Sequence, residues 1–132
     1  MTALYESTTA RVWGREGLSD DLKVETGVRQ GCLLSPLLFS IFIDDLVDCL
    51  PCGTKIGDTL TGALIYADDV VVMAESALDL QRNISAIEDY CARWGMVVNL
   101  SKSKAMVFRK GGRHRLDEGW TYQGEAIELV RS

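Results

Sequence analysis

Ala63-Leu64-Ile65-Tyr66-Ala67-Asp68-Asp69-Val70-Val71-Val72-Met73 is the stretch whose reading decides the rest of the chain. Leu64-Ile65-Tyr66 and Val70-Val71-Val72 are rich in β-branched and aromatic residues, so each reads as a short buried strand. Ala67-Asp68-Asp69 then forms the tight turn between them. Two adjacent carboxylates at a hairpin tip repel each other. A divalent cation removes that cost, and hard oxygen ligands on rigid strands suit Mg2+ or Mn2+. The plainer reading is an Asp-Asp turn without metal, because Asp is a favoured turn residue. The surroundings decide between the two.

Upstream, Gly27-Val28-Arg29-Gln30-Gly31-Cys32 reads as a loop bounded by glycines. Ser35 before Pro36 is a helix start, with Ser as N-cap and Pro at the first helical position. That helix is expected to run to about Cys49 and to stop before Pro51 and Gly53. Its apolar residues cover most of its circumference, which predicts a buried helix with a polar end at Asp44, Asp45 and Asp48. Further upstream, Arg11-Val12-Trp13 and Leu22-Lys23-Val24-Glu25 read as a hairpin around turn chemistry at 14–21. Residues 54–61 read as a polar connection containing Gly57 and Asp58.

Downstream, Ser76 can cap a helix over 77–94, where Leu80, Ile84, Ile87 and Cys91 keep a helical stripe and Gly95 ends it. Met96-Val97-Val98-Asn99-Leu100 and Ala105-Met106-Val107-Phe108 look like short strands. Trp120-Thr121-Tyr122-Gln123-Gly124-Glu125-Ala126-Ile127 looks like a final hairpin. The fold class expected is α+β.

The totals set bounds. A chain of 132 residues, 47% hydrophobic and 25% charged, has the composition of a single globular domain. No apolar run is long enough to span a bilayer, and Asp44-Asp45 interrupts the best candidate. The N-terminal residues lack the basic flank and apolar core of a signal peptide. With no such signal, Cys32, Cys49, Cys52 and Cys91 suggest reduced thiols in an intracellular protein. The net charge of −5 argues against binding nucleic acid by bulk attraction. The charge is uneven, however. Lys102, Lys104, Arg109, Lys110, Arg113 and Arg115 place six of the 14 basic residues in one short segment without an acidic residue. Such a cluster either tracks phosphates or is a solvated loop.

The order of these parts resembles the palm of reverse transcriptases of the non-LTR (LINE-type) retrotransposon class. The likeness lies in Gly27-Val28-Arg29-Gln30-Gly31-Cys32-Leu33-Leu34-Ser35-Pro36-Leu37-Leu38-Phe39, in Tyr66-Ala67-Asp68-Asp69, and in the run from Trp94-Gly95 to Asn99-Leu100-Ser101-Lys102-Ser103-Lys104. Each alone is a modest signal; three in order at plausible spacing are a strong one. The resemblance implies an RNA-directed DNA polymerase acting on RNA template, DNA primer and deoxynucleoside triphosphates. Asp68 and Asp69 would then be catalytic metal ligands for Mg2+ or Mn2+. Arg29, Gln30 and Gly31 would border the nucleotide and template, and Lys102 would stand near the triphosphate. Lys104 competes with Lys102 for that role, and Lys104, Arg109 and Lys110 would lie along the nucleic-acid backbone.

The family's upstream metal-binding aspartate and its segment leading to the thumb have no match here. The expectation is therefore an incomplete palm, 1–132, with an antiparallel sheet and two packed helices, inactive alone unless a separate upstream piece restores it. The alternative is a non-catalytic remnant that binds nucleic acid through 102–115. Cys49-Leu50-Pro51-Cys52 could be a redox pair or half a zinc site, but no second Cys/His pair stands at ligand spacing, and buried or incidental thiols are expected instead.

Overall fold

The computed structural model describes residues 9–24, 27–28, 31–108 and 119–130, and the chain divides into two compact units, Met1–Phe42 and Ile43–Ser132. In the first unit, β1 (Thr9–Ala10) pairs with β4 (Leu22–Lys23), and β2 (Trp13–Gly14) pairs with β3 (Gly17–Leu18), all antiparallel. The expected hairpin is present, but part of the segment read as a turn forms its inner ladder. Ser19 joins the two ladders by accepting and donating bonds at Val12, both 2.9 Å. Arg11 and Asp21 add a bidentate ion pair at 2.5 and 3.1 Å on the exposed surface.

Helix α1 (Ser35–Ile43) starts one residue earlier than Ser35 as N-cap predicts: Ser35 is its first residue, and Leu38 N–H bonds to Leu34 O at 2.9 Å. It does not stay α-helical to Cys49. Asp44–Cys49 continues as a 3-10 helix, its first turn carrying Asp44 and Asp45. Nor is α1 buried. Leu37 and Ile41 are mostly exposed, and Leu33 just before it is 97% exposed. A helix that is apolar all round needs neighbours all round, and the described residues do not supply them.

In the second unit, β5 (Thr54–Ile56) and β6 (Thr59–Thr61) form a hairpin around Gly57-Asp58 where a plain connection was expected. β7 (Ala63–Tyr66) and β8 (Asp69–Val72) form the next one. Helix α2 (Ala77–Trp94) follows with the expected bounds. Ser76 Oγ accepts from Asp79 N–H at 3.1 Å, and Gly95 takes the left-handed conformation at φ 65° while Met96 N–H reaches Cys91 O.

After α2, residues 96–99 are irregular rather than a strand, because Asn99 draws the chain into local bonds. Lys102 N–H, Ser103 N–H and Ser103 Oγ–H all reach Asn99 O, and Ser101 Oγ–H reaches Asn99 Oδ1. β9 (Lys104–Met106) pairs in parallel with β12 (Glu128–Val130), and β10 (Thr121–Tyr122) pairs antiparallel with β11 (Glu125–Ala126). Gln123 and Gly124 both have positive φ in the connecting turn, which suits the twist of a two-residue hairpin. The fold is α+β, its strands joined as antiparallel pairs with one parallel pair among the described residues.

The core lies between α2 and the C-terminal strands. Ile84, Ala105, Trp120 and Tyr122 are buried together, with Leu80, Ile87, Val98 and Leu129 packed against them. Polar bonds fix the same contact. Trp120 Nε1 donates to Ala77 O at 2.8 Å, and Gln81 exchanges two 3.0 Å bonds with the backbone of Thr121. No helix among the described residues is long and apolar enough to cross a membrane.

Candidate metal-binding hairpin

Tyr66 pairs with Asp69 at the closing end of β7–β8, leaving Ala67-Asp68 as a two-residue turn. Ala67 has φ 51°, a region that residues other than glycine seldom enter. The turn accepts it because tight hairpins whose twist matches their strands require positive φ at a central position. Ile65, Val70, Val72 and buried Ala63 form one face of the pair; Leu64, Tyr66, Asp69 and Val71 form the other, which is exposed, Tyr66 82% so. The strands are thus covered on one face, not two. Both faces are apolar, so the sequence alone gave no sign of the difference.

Asp68 and Asp69 are both exposed at the tip. No group of three or more His, Cys, Asp or Glu gathers anywhere among the described residues. The pair itself suits Mg2+, which keeps several waters and is commonly held by one or two carboxylates plus substrate phosphates.

The open end of the hairpin is closed by Met73 N–H bonding to Gly62 O at 2.8 Å. Behind it lies Asn83 of α2, fully buried. Its side chain accepts from Cys52 N–H at 3.0 Å and donates to Cys52 O at 3.0 Å and Met73 O at 3.3 Å. Sequence reasoning missed Asn83. The available signal was a polar residue adjoining the apolar stripe of Leu80, Ile84 and Ile87.

The other expected residues are spread along both units. Gly31 has φ 79°, and a Cβ there would meet nothing within 4 Å. Backbone conformation, not crowding, therefore calls for glycine at that position. Arg29, Gln30, Arg109 and Lys110 lie outside the described residues, as does most of the basic segment. Lys102 is exposed in the turn before β9 rather than on a strand edge. Lys104 is in β9 and forms an ion pair with Glu128 of β12. The two lysines are therefore not equivalent, and Lys102 is the one placed outside the strand ladder.

Cys49 and Cys52 form no disulfide. The Cys52 thiol donates to Asp79 Oδ1 at 3.4 Å, and burial, then Asp79, pushes its pKa up. A thiol held protonated is a poor nucleophile and a poor zinc ligand. Asp79 is held below the usual carboxylate range, first by Ser76 and then by Cys52. These contacts make Cys52 part of the cap of α2.

The family model "Reverse transcriptase (RNA-dependent DNA polymerase)" matches residues 3–126. The chain is 34% identical over 100 residues to the Retrovirus-related Pol polyprotein from type-2 retrotransposable element R2DM of Drosophila melanogaster, covering 74% of this chain and 10% of that protein. It is 36% identical over 91 residues to the Pol polyprotein from type-1 retrotransposable element R2 of Nasonia vitripennis, covering 67% and 9%. It is 31% identical over 118 residues to the transposon TX1 149 kDa protein of Xenopus laevis, covering 81% and 9%. The chain spans about a tenth of the length of these curated relatives. A match along most of the chain, with Asp68 and Asp69 inside it on a hydrogen-bonded hairpin, carries the assignment: the chain belongs to the reverse transcriptase (RNA-dependent DNA polymerase) family, among its non-LTR retrotransposon members.

Proposed function

We infer that this chain is the part of an RNA-directed DNA polymerase that carries the metal-binding hairpin. The whole polymerase acts inside the cell on RNA template, DNA primer and deoxynucleoside triphosphates. The observation that carries the reading is the tip itself, two adjacent exposed carboxylates, Asp68 in the two-residue turn and Asp69 in the ladder pair that closes it. Asp68 and Asp69 are the residues that would hold Mg2+ or Mn2+. When bound, such ions activate the attacking 3′-oxygen and neutralise the triphosphate.

The chain's own groups do the positioning. The β7–β8 ladder holds the carboxylates, since strands fix geometry better than loops. Gly31 keeps its loop in a shape other residues resist, beside Arg29 and Gln30, which by family position face nucleotide and template. The exposed Lys102 ammonium stabilises or protonates the departing pyrophosphate. Lys104, Arg109 and Lys110 follow the nucleic-acid backbone.

These 132 residues alone do not polymerise, in this reading, because among the described residues no third carboxylate joins the pair. Losing one member of a catalytic unit removes most of its rate. Primer extension by the purified chain on an RNA template, with Mg2+ and then Mn2+, tests this against the double change Asp68→Ala, Asp69→Ala. No extension is expected. Extension that the double change abolishes overturns the claim of incompleteness. Mn2+ binding that is the same with and without the two aspartates overturns the metal assignment.

A further inference from the structure

We propose that Asn83 is the positioning residue of the Asp68–Asp69 hairpin: it ties the base of β8 to α2 and so sets where the two carboxylates stand. The inference rests on the metal-hairpin reading above.

Three observations carry it. First, every hydrogen-bonding group of the Asn83 side chain is used. Oδ1 takes Cys52 N–H, and Nδ2 gives to Cys52 O and Met73 O. A buried amide with that record is committed to one geometry, because each bond lost would leave a buried group unsatisfied. Second, the partners are backbone atoms at the foot of the hairpin. Met73 directly follows β8, and its own N–H bonds to Gly62 O, directly before β7. The strands cannot tilt without disturbing these bonds. Third, the junction is tight. A Cβ on Gly62 would meet Cys52 O at 3.0 Å and the Leu50 side chain at 3.4 Å. The absence of a side chain at Gly62 leaves room for the Cys52 carbonyl that Asn83 binds.

The helix is a suitable anchor. It is the longest element among the described residues, and its Ala77, Gln81 and Ile84 are fixed to Trp120, Thr121 and Tyr122. The hairpin then acts as a lever. Met73 to Asp69 spans roughly 14 Å at the rise of an antiparallel strand, so a tilt of about 5° at the base moves the tip by about 1 Å. Misplacement on that scale costs a phosphoryl-transfer site about a hundredfold in rate.

The test compares the unaltered chain with Asn83→Asp, which keeps the volume and turns the donating nitrogen into an oxygen facing two carbonyls. Residue-resolved amide hydrogen exchange without metal is measured first. Protection of the β7–β8 amides is expected to fall about ten- to hundredfold while α2 and β10–β11 keep theirs, the size set by a lost buried hydrogen bond. Unchanged hairpin protection overturns the proposal. So does an equal fall at every slow amide, which marks a merely structural residue.

Should Asn83→Asp fail to fold, Gly62→Ala strains the same junction by crowding the Cys52 carbonyl. The expected result is a smaller loss with the same restriction to the hairpin, and an unaffected hairpin overturns the proposal. Mn2+ broadening of the amide resonances is the second reading. In the unaltered chain it is expected to centre on Asp68 and Asp69. In the variant it keeps that centre while its pattern over neighbouring elements changes. An identical pattern in both overturns the positioning role. No broadening in the unaltered chain fails the metal reading itself, and the positioning role falls with it.

Discussion

Tyr122 carries its hydroxyl into the core of the second unit, where it meets no hydrogen-bond partner of regular geometry among the described residues. Burial first, and then the neighbouring Cys91 thiol, pushes its pKa from 10.0 up to about 12. The folded state therefore holds this proton more tightly than the unfolded chain does. Its contribution to stability is complete below pH 10 and is lost as the pH rises towards 12. Tyr122→Phe is expected to flatten that alkaline loss and, at neutral pH, to change stability by less than about 0.5 kcal/mol, because it removes a group that was desolvated without compensation. Urea midpoints at neutral pH and between the two pKa values check both statements. Tyr90 behaves differently, since its buried hydroxyl donates to Asp45 at 2.5 Å. Tyr90→Phe is expected to cost about 0.5–1.5 kcal/mol in the same assay. Ser76→Ala removes the bond to Asp79 N–H and is expected to cost about 1 kcal/mol, again read from the urea midpoint.

The bounds of α2 were legible in the sequence because both of its ends are set by local chemistry, Ser76 at one and Gly95 at the other. The β7–β8 hairpin was legible for the same reason, its two runs of β-formers meeting at turn residues, although the turn read as Ala67-Asp68-Asp69 is shorter by one and Asp69 belongs to β8. Less local features escaped. β5–β6 is made of alternating Thr, Lys, Ile and Leu with only Gly57-Asp58 to announce its turn, so its polar content masked the strands. The parallel pairing of β9 with β12 depends on residues 24 apart, beyond any window of periodicity. Asn83 escaped too, because its partners are backbone atoms of two other segments. The conformation of Ala67 also could not be read from its type, and it yields a prediction for the element. Ala67→Val places a β-branched residue at φ 51° and is expected to cost about 1–3 kcal/mol, whereas Ala67→Gly is tolerated. Thermal unfolding followed through the exchange of β7–β8 amides distinguishes the two.

At the scale of the whole molecule, each unit leaves apolar surface open: Leu33, Leu37 and Ile41 at α1, and Leu64, Tyr66 and Val71 on the hairpin's outer face. Exposed surface of this kind drives association. The isolated chain is expected to self-associate with rising concentration, and Leu37→Glu with Ile41→Glu to reduce it. Light scattering over a concentration series checks this, and a chain that stays monomeric throughout would refute it. The parallel pair carries a consequence of another kind, one of timing during synthesis. Lys104 is made 24 residues before its partner Glu128. At roughly 5–20 residues per second the ribosome needs on the order of seconds to cross that gap. Helices and hairpins form within microseconds, so α2 can be in place while Ala105 still waits for its neighbouring strand. Glu128–Val130 complete the pairing of β9, and a chain stalled just short of them is left with β9 unpaired.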